Sequence, residues 1–153
     1  MQVKRSVLPI EQVAKLVQLQ LENGGIAQLN VTGYSMMPML HHCRDQVQLA
    51  PATGEEKTGD VIFYLRENGK YILHRIIAVT KDGYICCGDN QAEKEQVLRQ
   101  QVLAVMTGFT RNKKTYSLRH PGYRVYTWLW IKLFGLRPAY IALRRRIGRW
   151  THH

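Results

Sequence analysis

The sequence predicts a mainly β, α+β fold: a compact antiparallel sheet or partly closed barrel, with a helix before it and a helical tail after it. Three observations predict this class. Apolar and polar residues alternate in several short segments in the middle of the chain. Asn-Gly and Asp-Gly pairs separate such segments, as they do in tight hairpins. Apolar residues recur at helical spacing near both ends.

Near the N-terminus, residues 9–23 are predicted to form an amphipathic helix that ends at Asn-Gly-Gly. Residues 27–31 then alternate as in a half-buried strand, which leads the chain to Gly33 and Ser35. The apolar residues with helical spacing in the first segment are Ile10, Val13, Ala14, Val17 and Leu21.

The middle of the chain contains a hairpin signal, because residues 61–65 alternate and an apolar run resumes at Tyr71 after Asn68-Gly69. A second turn is expected at Lys81-Asp82-Gly83. After Pro121 the pattern becomes helical, with a break expected at residues 135–138. Further strands are predicted at residues 46–49, 84–87, 101–109 and 115–118.

The length of 153 residues predicts one main domain with a core of its own. We divide the chain into an N-terminal helix at 1–25, a catalytic or binding domain at 26–120 and a tail at 121–153. The three cysteines cannot all pair with one another, and the first residues lack the apolar run of an export leader. These features predict a cytoplasmic protein.

The positive charge of the chain lies in its tail. The net charge is +11, yet residues 1–106 hold eleven basic and eleven acidic residues, whereas residues 107–153 hold eleven basic residues and no acid. Such asymmetry predicts a neutral body with an appendage for an anionic partner, either lipid or nucleic acid.

Three segments carry residues that are suited to nucleophilic catalysis. Ser35 lies in VTGYSMMPML, and a serine needs a neighbouring base before it can act as a nucleophile. His74 in YILHRII can supply that base, although a histidine on a strand is also commonly a core residue. Asp89, in a Gly-Asp-Asn turn, and Glu95 are both candidates to orient the histidine, or else a plain turn residue and a solvated charge.

Taken in order, GYSMMPML, then GDVIFY with NGKYILHRI, then GDN resemble the signature segments of the type I signal peptidase family and its relatives, the self-cleaving SOS repressors. The resemblance covers roughly residues 31–109. It implies that Ser35 is the nucleophile. It also implies a histidine base, His74, as in the archaeal and endoplasmic-reticulum forms, because Lys70 near the hairpin turn is a poor substitute for the lysine of bacterial members.

The resemblance further implies a substrate that binds in extended form along a sheet edge, with small residues before the scissile bond. The backbone around the serine, including Gly33 and Met36, is then expected to support the oxyanion. Signal peptidases usually carry a hydroxyl residue two positions before the nucleophile. This chain has Gly33 there, as the repressors do, so a backbone-only oxyanion hole is expected.

These observations predict a serine endopeptidase that removes a leader or signal segment from a precursor peptide or protein. Two alternatives stay open: a self-cleaving, nucleic-acid-linked regulator and an inactive peptide-binding module on the same fold. No cofactor or metal is expected, because His41-His42-Cys43 lacks the spacing of a zinc site.

The tail is predicted to dock on an anionic membrane surface, on the inner face of the membrane, rather than to span the bilayer, because Lys132, Arg137 and Pro138 interrupt its apolar run. The alternative is a helical pair packed on the sheet. Nucleic acid is disfavoured as the partner, since it would leave the aromatic residues without a role. The residues expected to bind the membrane are Trp128, Trp130, Arg144, Arg145, Arg146, Arg149 and Trp150.

Overall fold

The computed structural model describes residues 9–150, and at residues 149 and 150 it describes the backbone alone. The order of elements is one helix, eight strands and two further helices, with short 3-10 turns at Arg99–Gln101 and Phe134–Leu136. The helices are α1 (Ile10–Glu22), α2 (Pro121–Lys132) and α3 (Arg137–Trp150). The strands are β1 (Ala27–Asn30), β2 (Gln46–Pro51), β3 (Val61–Leu65), β4 (Tyr71–Val79), β5 (Gly83–Cys87), β6 (Glu95–Leu98), β7 (Val102–Arg111) and β8 (Lys114–Ser117).

All eight strands form one antiparallel sheet in the order β1-β2-β7-β3-β4-β5-β6, and β8 pairs with β7 beside this path. The sheet curls into a half-barrel, framed by helices from both ends of the chain. The predicted mainly β fold is therefore confirmed. Strand β1 lies at one edge of the sheet and β6 at the other.

Local sequence explains the turns that connect the strands. Gly69 has a φ of 82°, which suits the hairpin between β3 and β4, and Asn68 accepts a hydrogen bond from the amide of Lys70. Asn112 and Lys113 both have positive φ in the two-residue turn between β7 and β8, as a hairpin turn of this length requires.

Strand β6 is absent from the sequence prediction, because Glu95–Leu98 is short and follows a polar stretch. The helical break lies at residues 133–136, slightly earlier than expected, and Arg137 already belongs to α3. Both differences concern short segments whose structure depends on tertiary contacts.

The three predicted segments share one hydrophobic core. The main cluster joins buried residues of α1, several strands and Tyr123 of α2, and Leu40 from the serine segment is fully buried in it. A second cluster lies around Tyr64, Ile76 and Tyr84. Helix α1 and the start of the tail are therefore integral to the folded body. Within residues 9–150, no helix combines the length and the apolar character that crossing a bilayer requires.

Candidate active site

Ser35 lies in an irregular segment that leaves the edge strand β1. The segment begins with Val31, whose amide donates to the carbonyl of Asp45. Gly33 has a φ of 83°, a conformation that glycine adopts readily, and its amide donates to Nδ1 of His42 at 2.8 Å. Ser35 is half-buried, and Met36 beside it is anchored in the core. The segment is thus held at both sides of the serine.

The Gly-Asp-Asn turn after β5 clamps the serine segment. The amide of Asn90 donates to the Ser35 carbonyl at 2.8 Å, and the Asn90 side chain donates to the Tyr34 carbonyl at 3.1 Å. At Gly88, a Cβ atom would lie 2.6 Å from the Ser35 carbonyl oxygen and 3.0 Å from Nε2 of His74. Only glycine fits between the two. The Ser35 carbonyl oxygen and Nε2 of His74 therefore both lie next to the Cα atom of Gly88.

His74 is buried on β4, and its two ring nitrogens face different surroundings. Nε2 faces Gly88 and the serine segment. Nδ1 lies 3.3 Å from the Tyr64 hydroxyl and 3.3 Å from Oε1 of Glu95. Burial lowers the pKa of His74, and the nearby Glu95 carboxylate only partly offsets that effect. A neutral imidazole at this position is able to accept a proton.

Glu95 begins β6 and is held by two further groups. Arg66 donates to both of its carboxylate oxygens, at 2.9 and 2.7 Å, and the Tyr64 hydroxyl donates to Oε1. Burial by itself would raise the pKa of Glu95, but the hydrogen bonds from Arg66 and Tyr64 lower it. The carboxylate therefore stays ionised beside Nδ1 of His74.

Asp89 has different partners. Both oxygens of its buried carboxylate accept from Arg75, each at 2.9 Å, and Oδ2 also accepts from the Tyr126 hydroxyl at 2.9 Å. Arg75 donates further to the Gly59 carbonyl and to the Tyr123 hydroxyl. Of the two carboxylates that the sequence left as alternatives, Glu95 lies against the histidine, and Asp89 binds the arginine that follows the histidine.

Backbone amides beside the serine are available as oxyanion donors. Among residues 9–150, the amides of Ser35 and Met36 donate to no other group. The amide of Gly33, by contrast, is used by His42. The Ser35 hydroxyl likewise has no hydrogen-bond partner within the described part of the chain, so it is not hydrogen-bonded to His74 in this state.

A small cavity of about 100 Å³ lies next to Ser35. The irregular segment after β1 forms one wall, and the beginning of β4 forms another. The curl of the sheet thus brings an edge strand and a distant hairpin strand to the same cavity. Its apolar lining includes Val31, Met36, Phe63 and Leu73.

The tail residues expected at a membrane fall into three groups. Trp130 and Arg144 contact the Gly-Asp-Asn turn: Nε1 of Trp130 donates to the Asp89 carbonyl at 2.8 Å, and Arg144 donates to Oδ1 of Asn90 at 2.9 Å. The exposed group consists of Trp128, Arg145 and Arg146. The side chains of Arg149 and Trp150 lie outside the described part of the structure.

Four residues of the site were not predicted from the sequence: Tyr64, Arg66, Gly88 and Asn90. The position of Tyr64 beside His74 could have been predicted, because Ile62 pairs with His74 in the hairpin and Tyr64 lies on the same face of the strand two residues later. Gly88 and Asn90 flank the aspartate that was singled out. Nothing in the sequence indicated that Arg66 belongs to the site, since its partner Glu95 begins β6, a strand that the alternation of apolar residues did not predict.

The histidine and cysteine cluster near the serine has structural contacts of its own. His41 bonds the Pro38 carbonyl at 3.0 Å, and Nε2 of His42 lies 3.1 Å from the Cys43 sulfur. Across the described residues, no group of three or more His, Cys, Asp or Glu side chains is arranged to hold a metal ion.

Comparisons of this chain with models of protein families, with curated proteins and with solved structures found no match.

Proposed function

We propose that this chain is a serine endopeptidase of the signal-peptidase type, which removes a leader or signal segment from a precursor protein. Ser35 is the nucleophile, His74 the general base and Glu95 the residue that orients the base. One observation carries the proposal: a Cβ atom at Gly88 would meet both the Ser35 carbonyl oxygen and Nε2 of His74, so these two groups lie close to the same point of Gly88, while Nδ1 of the same ring faces Glu95. This is the order of groups that a serine triad requires.

The reaction follows from these positions. The Ser35 hydroxyl attacks the scissile carbonyl carbon and transfers its proton to Nε2 of His74, whose positive charge Glu95 stabilises. The amides of Ser35 and Met36 donate to the oxyanion. His74 then passes the proton to the leaving amine. A water molecule hydrolyses the acyl-enzyme through the same base and releases the free carboxyl product and Ser35.

The free Ser35 hydroxyl is compatible with this assignment, because catalytic hydrogen bonds are often long in the absence of substrate and tighten when it binds. The Ser35 carbonyl and the imidazole both lie close to Gly88, so the serine and its base are in the same part of the fold. Binding of the substrate is then expected to bring the Ser35 hydroxyl into hydrogen-bond distance of His74.

The substrate is an extended peptide with a small side chain near the scissile bond. The free edge of β1 offers backbone groups to an added strand, and this edge leads directly to Ser35. The adjoining cavity of about 100 Å³ and its apolar lining favour a short aliphatic side chain. These features agree with the residue preference that the resemblance implies.

The cytoplasm is the proposed location. Cys86 and Cys87 are buried neighbours and Cys43 is exposed, and all three are free thiols. Free thiols are typical of a reducing compartment. The precursor is therefore proposed to be a cytoplasmic protein that carries its leader until Ser35 removes it.

The decisive experiment is labelling with a fluorophosphonate, followed by mass spectrometry, together with cleavage of a library of peptides. We expect an adduct on Ser35 and none in the Ser35→Ala and His74→Ala variants. Ser117→Ala is the matched control, because Ser117 is an exposed serine remote in sequence from the site, and it should label like the wild type. A wild-type protein that binds peptides without forming an adduct would identify an inactive binding module and refute the proposal.

A further inference from the structure

Helix α2 has two apolar faces. One face packs on the body: Tyr123 stacks toward Phe109, and the side chains of Tyr126 and Trp130 bond Asp89. The other apolar face lies on the opposite side of the helix and is exposed to solvent. This outer face consists of Val125, Trp128 and Leu129, between Arg124 and Lys132.

Helix α3 repeats this arrangement. Its inner face carries Arg137, which donates to the carbonyls of Gly88 and Trp130, and Arg144, which donates to Asn90. Its outer face is an apolar stripe at helical spacing, and Leu136 extends the stripe by one turn before the helix begins. The exposed apolar residues of the stripe are Leu136, Tyr140, Leu143 and Ile147.

A groove of about 140 Å³ lies where α2 passes into α3, and Leu136 and Tyr140 of the α3 stripe belong to its lining. Leu133 and Leu136 line it, and both are more than half exposed, at 51% and 64%. Each of two successive helices exposes several large apolar side chains at helical spacing, which differs from the single exposed apolar residues common on soluble proteins. We call these exposed side chains together the outer face of α2 and α3.

The charges that α2 and α3 themselves carry are all positive, because residues 107–153 contain no Asp or Glu. The exposed cations at or beside the two apolar stripes are Arg124 and Lys132 on α2 and Arg146 on α3, whereas Arg145 lies on the opposite side of α3, next to Asn90 and Arg144. Arg137 and Arg144 are used inside the protein, so the exposed cations are those that can meet a partner. The partner must therefore be apolar at its centre and anionic at its boundary.

We infer that the outer face of α2 and α3 docks on the surface of an anionic phospholipid bilayer. The helices lie in the plane of the interface, with Trp128, Leu143 and Ile147 at the boundary between headgroups and acyl chains and the arginines at the lipid phosphates. A second copy of the chain would place one all-positive surface against another. A nucleic acid would use the cations and leave the apolar stripe uncovered.

The inference is tested by co-sedimentation with vesicles, using the full chain as it exists. Vesicles of phosphatidylcholine with phosphatidylglycerol are compared with vesicles of phosphatidylcholine alone. We expect binding to the anionic vesicles that high salt reverses. The variant K132Q/R146Q should bind roughly 30-fold more weakly, from about 1 kcal/mol per basic residue.

The apolar contribution is tested with the triple variant W128Q/L143Q/I147Q, which should bind at least about tenfold more weakly. Its matched control is L16Q/L19Q on α1, where both leucines are 56% exposed and the only basic residue of the helix is Lys15. The control should bind like the wild type, and circular dichroism should be equal for all variants because the changed side chains are exposed.

Ser35→Ala should bind vesicles as the wild type does, so that docking and peptidase activity are judged separately. Equal binding of the wild type and the triple variant would overturn the inference, as would no binding by the wild type. A concentration-dependent dimer that the triple variant abolishes would assign the outer face to a second copy instead, and would also overturn it.

Discussion

Two clusters of the same composition lie on opposite sides of β4, and they have different roles. Each contains a carboxylate that accepts two hydrogen bonds from an arginine and one from a tyrosine. In one, Glu95 binds Arg66 and Tyr64 and lies against His74, and its side chain is 28% exposed. In the other, Asp89 binds Arg75 and Tyr126, and its side chain is completely buried.

The difference arises from the pleat of β4. His74 and Arg75 are neighbours in sequence, so their side chains point to opposite faces of the sheet. Arg75 pairs with Cys87, two residues before Asp89, whereas Cys86 pairs with Glu95. Each β4 side chain therefore meets the carboxylate on its own face. The same three kinds of side chain therefore surround the proposed general base on one face and form a buried ion pair on the other.

The largest effect is expected from Glu95→Gln, which keeps the shape of the side chain but removes the charge that stabilises protonated His74. We expect the rate of Ser35 labelling or peptide cleavage to fall by up to about 10⁴-fold. Thermal unfolding should change little, because Glu95 is partly exposed. Glu93→Gln, at an exposed glutamate two residues earlier, is the control. A wild-type rate in Glu95→Gln would remove Glu95 from the mechanism.

The second prediction concerns the buried cluster. Arg75→Met leaves the Asp89 carboxylate buried without its main partner, so the free energy of unfolding should fall by about 3–5 kcal/mol. Arg66→Met, in the more exposed cluster, should reduce it by no more than about 1 kcal/mol. Urea unfolding followed by tryptophan fluorescence measures both. Equal losses in the two variants would show that the clusters do not differ in this way.

The tyrosines provide a finer test of the same comparison. Tyr126→Phe removes one hydrogen bond to buried Asp89, and it should lower the free energy of unfolding by about 1 kcal/mol or somewhat more, since the acceptor is charged. Tyr64→Phe should act mainly on rate, by roughly tenfold, because the hydroxyl holds the carboxylate beside His74. Measuring stability and rate on both variants sharpens the contrast. Identical profiles for the two would contradict it.

The smallest expected effect is on the pH dependence. Burial lowers the pKa of His74 below the ordinary value of about 6.5 for histidine, so activity should rise with pH through a midpoint below 6.5 and reach a plateau near neutrality. Glu95→Gln should move the midpoint lower still, because the carboxylate raises the pKa of the imidazole. Rates measured from about pH 4 to about pH 8, roughly the range in which a histidine titrates, give both midpoints. A midpoint above 6.5 in the wild type would contradict the expectation.

The same shift has a consequence for stability. The unfolded chain takes up a proton on this histidine at higher pH than the folded chain does. The stability associated with neutral, buried His74 is therefore present above the unfolded pKa and is lost as the pH falls through the folded pKa. Unfolding experiments at these pH values provide an independent measure of the His74 pKa.

Much of the fold could be predicted, because local sequence patterns specify several of its helices, strands and turns. Alternation of apolar residues, the Asn68-Gly69 turn and the helical spacing of residues 10–21 identify α1, the hairpin of β3 and β4 and the antiparallel class. Such signals need no knowledge of distant residues, because strand pleat and helix pitch act over a few positions. Strand β6 lacks them, and it forms because β5 offers it a partner.

The sequence by itself determined that a serine, a histidine and two acidic residues are present in that order along the chain, since residue type alone decides which groups can attack, accept a proton or carry charge. Only the tertiary structure decided which carboxylate meets His74, because strand pairing brings Glu95 to its face and Asp89 to the opposite one. The contact of Gly88 with both Ser35 and His74 is likewise tertiary. Ser35 and Gly88 are more than fifty positions apart in the sequence, and the curl of the sheet brings them together. No local sequence pattern specifies a contact between such distant residues.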